Sequence, residues 1–329
     1  MTSRLRVGIA GLGSCVPERV MTNHYFEALV DTSDEWIVQR TGIRERRFVK
    51  EGEATSDLCL GAARQALENA GLEPTDIDLI VVGTLTPDYL LPACSCLVQG
   101  RLGAKHAGAF DVAAACTGFL TALHVGEAFI AAGRARRVLV IGAETLSRFL
   151  DMKDRGSCIL FGDAAGAAVL APWEECRQGE VLKTRLGADG LQFEMIHMRG
   201  GGSLVPPTHE SVERGDHFIR LRGREVYRFA VNKMADLIEE MARDHAPEEV
   251  GIVVPHQVNQ RIIESAIERV GWPMEKVMTN IERYGNTSAA TVPVALHEAW
   301  QAGRLESGKL VILVAFGAGL TWGASLLRW

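Results

Sequence analysis

Three residues of the chain are of the types, and in the places, that acyl chemistry uses. Cys116 follows the apolar, strand-like stretch Ala109–Ala115 and opens a helical pattern running from Thr117 to Ala132. A helix N-terminus carries unpaired N–H groups and partial positive charge, so the position predicts a lowered thiol pKa. His256 closes the apolar run Val253-Val254-Pro255, at a strand's C-terminal end, where crevices of α/β sheets form. Asn286 lies in Tyr284-Gly285-Asn286-Thr287-Ser288, just before a helical pattern; its competing reading is an ordinary helix cap. Gly317-Ala318-Gly319 could bring backbone N–H groups close to an anion, or merely permit a turn. The other six cysteines read as packing residues. Cys94 and Cys96 have no second Cys/His pair at zinc spacing, so no metal is expected.

The order Cys, His, Asn permits two chemistries. In a thiol hydrolase the cysteine attacks, the histidine is the base and the asparagine orients it. In a condensing enzyme the cysteine holds an acyl group while histidine and asparagine stabilise an enolate made from a second thioester. The hydrolase reading leaves an internal duplication, described below, unexplained.

The elements that must position these residues follow from composition and periodicity. With 329 residues, about two folding units are expected. A net charge of −6 argues against a general nucleic-acid binder. Seven cysteines, an odd number in a chain this long, read as reduced thiols and a cytoplasmic protein. The first fifteen residues have the layout of a secretory signal, but the apolar part is short and glycine-rich. Arg6–Gly11 is therefore expected as a first strand. Leu310–Leu327 carries no charge and approaches the length of a membrane span. Its glycines predict two buried strands about a turn instead, so no membrane association is expected.

Short apolar runs at Leu79–Gly83, Val138–Ile141, Ile252–Val254 and Leu310–Val314 alternate with amphipathic patterns at 56–70, 117–132, 231–244, 259–270 and 288–302, an α/β alternation. The halves echo each other. Ile80-Val81-Val82 returns as Ile252-Val253-Val254, and Ala132-Gly133-Arg134 as Ala302-Gly303-Arg304. The expected division is 1–170, an irregular connection over 171–224, and 225–329. These offsets set Cys116 opposite Asn286 and Thr84 opposite His256, with a pseudo-twofold gathering them in one crevice.

Several longer motifs narrow the choice. Thr32–Arg47 (TSDEWIVQRTGIRERR), Asp111–Phe119 (DVAAACTGF), Asp154-Arg155-Gly156, Phe161–Ala167 (FGDAAGA), Pro255–Ile263 (PHQVNQRII), Gly285–Ala290 (GNTSAA) and Phe316–Gly323 (FGAGLTWG) resemble, in order, the signatures of β-ketoacyl-acyl carrier protein synthase III. The resemblance spans nearly the whole chain. It implies a thiolase-type fold of two similar α/β halves in five layers, working as a homodimer. The implied reaction moves a primer acyl group from coenzyme A to Cys116, then condenses it decarboxylatively with malonyl-acyl carrier protein. A related condensing enzyme or acyltransferase of specialised metabolism shares these expectations with a different primer or acceptor.

The resemblance also implies roles. His256 and Asn286 serve decarboxylation and condensation, and the N–H groups of Cys116 and Ala318 form an oxyanion hole. Trp36 and Arg155 sandwich the adenine of coenzyme A and Arg40 contacts a phosphate, which suits planar guanidinium chemistry. Arg214, Arg220, Arg222, Arg224 and Arg228, joined by Arg261 and Arg269, form a basic stretch on an acidic chain. With the segment Gln257, Val258, Asn259 and Gln260, Arg228 and Arg261 are expected to meet the carrier protein. Leu91 stands where the family pattern has a Phe closing the primer pocket from the partner subunit. Acyl-CoA is expected as substrate, with no permanently bound cofactor.

Overall fold

Two sheets, described over residues 5–329 of a computed structural model, carry the fold. The first is built from β1 (Val7–Cys15), β2 (Leu79–Gly83), β3 (Gly108–Val112), β4 (Val138–Thr145) and β5 (Asp163–Pro172). The second is built from β6 (Glu180–Ala188), β7 (Val250–Pro255), β8 (Leu310–Gly317) and β9 (Thr321–Arg328). Their spatial orders are β1-β5-β4-β2-β3 and β6-β9-β8-β7. In each sheet the central parallel pair (β2 with β4, β7 with β8) is continued by two antiparallel strands. The second sheet therefore repeats the first without its edge strand β3.

This pairing moves a boundary. The second repeat begins at Glu180, inside the segment expected to be irregular, because β6 pairs with β9 as β1 pairs with β5. β6 reads Glu-Val-Leu-Lys-Thr-Arg-Leu-Gly-Ala and no residue of it is fully buried. An edge strand of this kind lacks the apolar run that marked the others.

Helices α1 (Asp34–Thr41), α2 (Thr55–Ala70), α3 (Cys94–Leu102), α4 (Gly118–Ala131), α5 (Gly223–Ala242), α6 (Gln260–Val270) and α7 (Thr291–Gln301) supply the packing surfaces. Strand alternation sorts the core. Ile80 and Val82 pack with α2 and α3, while Leu79 and Val81 pack with Phe119 and Leu123 of α4 and Leu296 of α7. On the far side α5 and α6 cover the second sheet through Met234, Ile238, Ile263 and Ile267. The result is five layers, with α4 and α7 buried between two sheets. β2 reads Leu-Ile-Val-Val-Gly because both its faces are buried. The charge-free stretch near the C-terminus is two strands, β8 and β9, and none of the described helices is long and apolar enough to cross a membrane.

Both central helices are entered through a 3-10 turn, Ala115–Thr117 before α4 and Ser288–Ala290 before α7. Each turn opens on a non-glycine residue at positive φ, Ala115 at 47° and Ser288 at 49°. That equivalence pairs Cys116 with Ala289, three residues away from the Asn286 suggested by short sequence matches. Thr84 and His256 do hold matching places: each directly follows a central strand, and each donates its N–H to a neighbouring strand, to Val112 and Val314.

Candidate active site

The seam between the repeats opens into an apolar cavity of about 260 Å³, and Cys116, His256, Asn286, Ser288, Gly317 and Ala318 all lie on its wall. Cys116 meets the end of β8 at Gly317. A Cβ on Gly317 would fall 2.7 Å from the Cys116 nitrogen and 3.2 Å from its sulfur, so only glycine permits this approach. The Cys116 N–H turns to its own sulfur. The Ala318 N–H donates to no backbone carbonyl among the described residues.

The expected lowering of the Cys116 pKa does not hold for the resting site. Burial pushes the thiol up to about 12; the Ser288 hydroxyl draws it down, and the charge of Glu144 pushes it further up. The cysteine sits in a 3-10 turn ahead of α4 rather than in the helix's first turn, and the cavity around it is lined mainly by apolar groups.

His256 is fully buried, and burial alone lowers its pKa to about 3, so the ring stays neutral. Its Nδ1 lies 2.6 Å from Thr291 Oγ1. The same hydroxyl donates to the Ser288 carbonyl at 2.9 Å, beside the Thr291 N–H.

Asn286 is clamped at both backbone ends: its N–H donates to Leu160 at 2.9 Å and its carbonyl accepts from Gly162 at 3.0 Å. Its Oδ1 accepts the Ser288 N–H at 2.8 Å. The capping reading is thus correct for the oxygen, while the amide nitrogen has no partner among the described residues.

Glu144, at the end of β4, was not singled out in the sequence. It is fully buried behind Ser288 and accepts from Thr86 Oγ1 at 2.6 Å, Leu85 N–H at 3.1 Å and Ser288 Oγ at 3.2 Å. Its one sequence signal is a carboxylate closing an otherwise apolar strand. Thr291 carried no signal, because its role depends on a residue 35 positions away.

Trp36 lies in α1, whose start is fixed by the Ser33 hydroxyl accepting the Trp36 N–H. The Arg155 guanidinium carbon stands 4.8 Å from the Trp36 ring and that of Arg40 5.7 Å. Gly156, next to Arg155, is on the cavity wall, so this aromatic–cation cluster stands at the cavity's mouth.

The carrier-protein set divides. Gln257 is corrected: it is buried, donates to the Pro255 and Met278 carbonyls and accepts from Asn280 N–H, so no part of it reaches a partner. Val258 and Asn259 face the cavity, with Asn259 donating to the Arg40 carbonyl. Gln260 bonds Glu264 within α6. Of the arginines, Arg214, Arg220, Arg222 and Arg269 are paired with Asp216, Asp151, Glu194 and Asp236. Arg224, Arg228 and Arg261 have no carboxylate partner among the described residues and share a surface depression beside Tyr227. Leu91 is 87% exposed and absent from the cavity of its own chain. No group of three or more metal-ligating side chains occurs among the described residues.

A duplicated α/β fold with a cysteine, a neutral histidine and an asparagine on one apolar cavity defines a thiolase-type condensing enzyme. The family model described as 3-oxoacyl-[acyl-carrier-protein (ACP)] synthase III matches residues 110–190, and the model of its C-terminal part matches 241–329. Among curated proteins, the β-ketoacyl-[acyl-carrier-protein] synthase III of Caldanaerobacter subterraneus subsp. tengcongensis is 47% identical, over 100% of this chain and 99% of its own. Among solved structures, 3-oxoacyl-[acyl-carrier-protein] synthase III from Aquifex aeolicus superposes with a TM-score of 0.90 at 45% identity, covering 98% of this chain and 100% of the other. The priming β-ketosynthase of a polyketide biosynthetic pathway superposes at 0.91 with 34% identity, covering 100% and 98%. The chain belongs to the 3-oxoacyl-[acyl-carrier-protein] synthase III family and is an acyltransferase of the condensing class.

Proposed function

We propose that the protein transfers a short acyl primer from acyl-CoA to Cys116 and condenses it with malonyl-acyl carrier protein, releasing carbon dioxide and a 3-oxoacyl-carrier product. The observation that carries this reading is the shared cavity, on whose wall Cys116, His256, Asn286 and Ala318 all lie, together with Gly156, the neighbour of Arg155.

Two sets of donors serve two steps. The Cys116 and Ala318 N–H groups hold the oxygen of the thioester under attack. After the coenzyme leaves, the malonyl thioester enters the same cavity. Its carbonyl oxygen gains charge as carbon dioxide departs, and the His256 ring and the amide nitrogen of Asn286 stabilise it. The resulting carbanion attacks the acyl carbon on Cys116. Acyl-CoA is substrate throughout, and these steps require no resident cofactor.

The unpaired Arg224, Arg228 and Arg261 support docking of an acidic carrier protein. Homodimer formation is supported by β3, an edge strand whose residues are exposed or half-buried, and by the exposed apolar residues Tyr89, Leu90 and Leu91. An unprotected edge of this kind invites strand pairing, and it would let Leu91 reach a partner's primer pocket. Seven free cysteines fit a reducing cytoplasm.

Mass spectrometry after mixing with a panel of acyl-CoAs tests the reading. A primer-sized mass gain mapped to Cys116, discharged by malonyl-carrier protein to a 3-oxoacyl product, is expected. Acylation at another cysteine, or hydrolysis without condensation, removes it. Discharge to an acceptor other than malonyl-carrier protein would favour a specialised-metabolite acyltransferase.

A further inference from the structure

The two oxyanion donors come from different repeats. The Cys116 N–H belongs to the turn Ala115–Thr117 that enters α4, and the Ala318 N–H to the loop between β8 and β9. Their spacing is therefore a tertiary property. Behind the cavity wall two threonine hydroxyls meet: Thr117 Oγ1 lies 3.0 Å from Thr321 Oγ1. Neither residue lines the cavity, whereas Cys116, Gly317 and Ala318 do.

We propose that Thr117 and Thr321 form a latch that sets the spacing of the two oxyanion donors, which makes them positioning residues for the acylation of Cys116. The inference rests on Cys116 being the acylated residue and on its N–H and that of Ala318 holding the thioester oxygen.

The latch reaches both segments next to their donors. On the first side the Ala114 carbonyl, two residues before the Cys116 N–H, lies 2.6 Å from Thr117 Oγ1 and 3.2 Å from Thr321 Oγ1. It also accepts the Thr117 N–H at 3.1 Å. On the second side the carbonyl of Ala318 itself lies 3.1 Å from Thr321 Oγ1. Each hydroxyl has one proton, so these bonds are shared out rather than made all at once. The segments are joined whenever Thr117 donates to Thr321 or Thr321 donates to Ala114. Among the described residues no other hydrogen bond joins the 114–117 turn to the 317–321 loop. The far side of the loop is fixed elsewhere, where Leu320 and Asp189 exchange both backbone bonds at 2.8 Å.

Two features call for such a latch. Ala115 holds a φ of 47°, a conformation that persists in a residue with a Cβ only where its neighbours over-determine it. The bonds on the Ala114 carbonyl act from the adjoining residue. Thr117 is 1% exposed, and a buried hydroxyl is costly unless a partner meets it, as Thr321 does here. Oxyanion donors act only when they stand at hydrogen-bond distance from the developing charge, so a small displacement slows the reaction more than it weakens substrate binding.

The test uses Thr117→Val, Thr117→Ser, Thr321→Val and the combined Thr117→Val/Thr321→Val in the full chain. Valine keeps the shape and removes the hydroxyl; serine keeps the hydroxyl. Two rates are followed: acylation of Cys116 at saturating acyl-CoA, by rapid quench and peptide mapping, and carbon dioxide release from malonyl-carrier protein without acyl-CoA. Each single valine variant should acylate about tenfold slower, less than the ~10²–10³ lost with a whole donor. The KM for acyl-CoA and carbon dioxide release should stay within threefold of wild type. Thr117→Ser should return acylation to within threefold of wild type. The combined variant should be no slower than the slower single one, since both cut one link. Acylation within threefold of wild type in both valine variants, an equal fall in carbon dioxide release, no rescue by serine, or multiplied effects in the combined variant would overturn the proposal. A melting curve identifies a variant that fails to fold, and the valine variant in the other segment then decides. A wild-type protein that takes up no acyl group at Cys116 would instead defeat the functional reading itself.

Discussion

Asn286 gives its side-chain oxygen to the Ser288 N–H at 2.8 Å, and that bond divides the amide between structure and chemistry. The oxygen fixes the turn that presents Ser288, and the nitrogen at the other end has no partner among the described residues. The proposed enolate donor and the structural acceptor are thus opposite ends of one group.

Replacing Asn286 by Asp keeps the cap and inverts the other end from donor to acceptor. Acylation of Cys116 should stay within roughly tenfold of wild type, whereas decarboxylation of malonyl-carrier protein should fall by at least about 10²–10³, the usual cost of one lost donor at a developing oxyanion. Rapid-quench acylation and carbon dioxide release separate the two. An equal fall in both would return Asn286 to a capping role alone.

Thr291→Val removes the hydroxyl that bonds His256 Nδ1 while keeping the shape. The ring then loses the bond that fixes its orientation. Decarboxylation should drop about tenfold or more, and Thr291→Ser, which restores the hydroxyl, should recover most of it. Failure of serine to rescue would mean that packing, not the hydrogen bond, is what Thr291 supplies.

Charge reversal at Arg228 or Arg261 should raise KM for malonyl-carrier protein and leave acyl-CoA kinetics nearly unchanged. The effect should shrink as salt is raised, because exposed charges are screened over about 8–10 Å at ordinary ionic strength. The same change at Arg269, already paired with Asp236, should have a smaller effect on KM. Equal damage with both substrates would point away from docking.

Leu91→Phe tests the exposed loop as part of a partner's primer pocket. The larger ring should narrow primer choice toward acetyl-CoA, by about tenfold or more against butyryl-CoA, given ~1–3 kcal/mol per methylene in an apolar pocket. Competition between the two primers reads this directly, and an unchanged ratio would place the pocket's end elsewhere.

Glu144→Gln should also change stability with pH. Burial raises the folded-state pKa of Glu144 to about 7 from its ordinary value of 4.5, so the native state binds more protons between these limits. Its contribution is complete below about 4.5 and is lost as pH rises through 7. The variant should therefore gain stability over wild type as pH rises, by on the order of 3 kcal/mol at pH 8, at about 1.4 kcal/mol per unit. His256 works in the opposite sense: its pKa is lowered to about 3, so protonation in the unfolded chain destabilises both proteins equally as pH falls below about 6.5. Thermal melts at pH 5 and pH 8 give the difference. A pH-independent gap would mean that Glu144 is not titrating in the folded protein.

Much of this architecture was written locally. The apolar runs of β2, β4, β7 and β8 are legible because strands buried on both faces are built mostly of apolar residues. The nucleophile and its two companions were legible because each stands at an element end within a specific motif. β6 was not, since an edge strand is defined by its neighbour β9 rather than by its own composition. The surface arginines looked like one patch in sequence, yet only the fold says which ones carboxylates have already neutralised. Gln257 lies inside a surface-like motif but faces inward. The sequence by itself determined the family and the duplicated α/β plan, because these depend on residue type and short-range order. Tertiary structure alone decided the hydrogen bonding around the cavity: that His256 meets Thr291, which end of Asn286 is held by Ser288, and that Glu144 stands behind Ser288. Those depend on hydrogen bonds between residues as far as 144 positions apart, and on burial that no local pattern encodes.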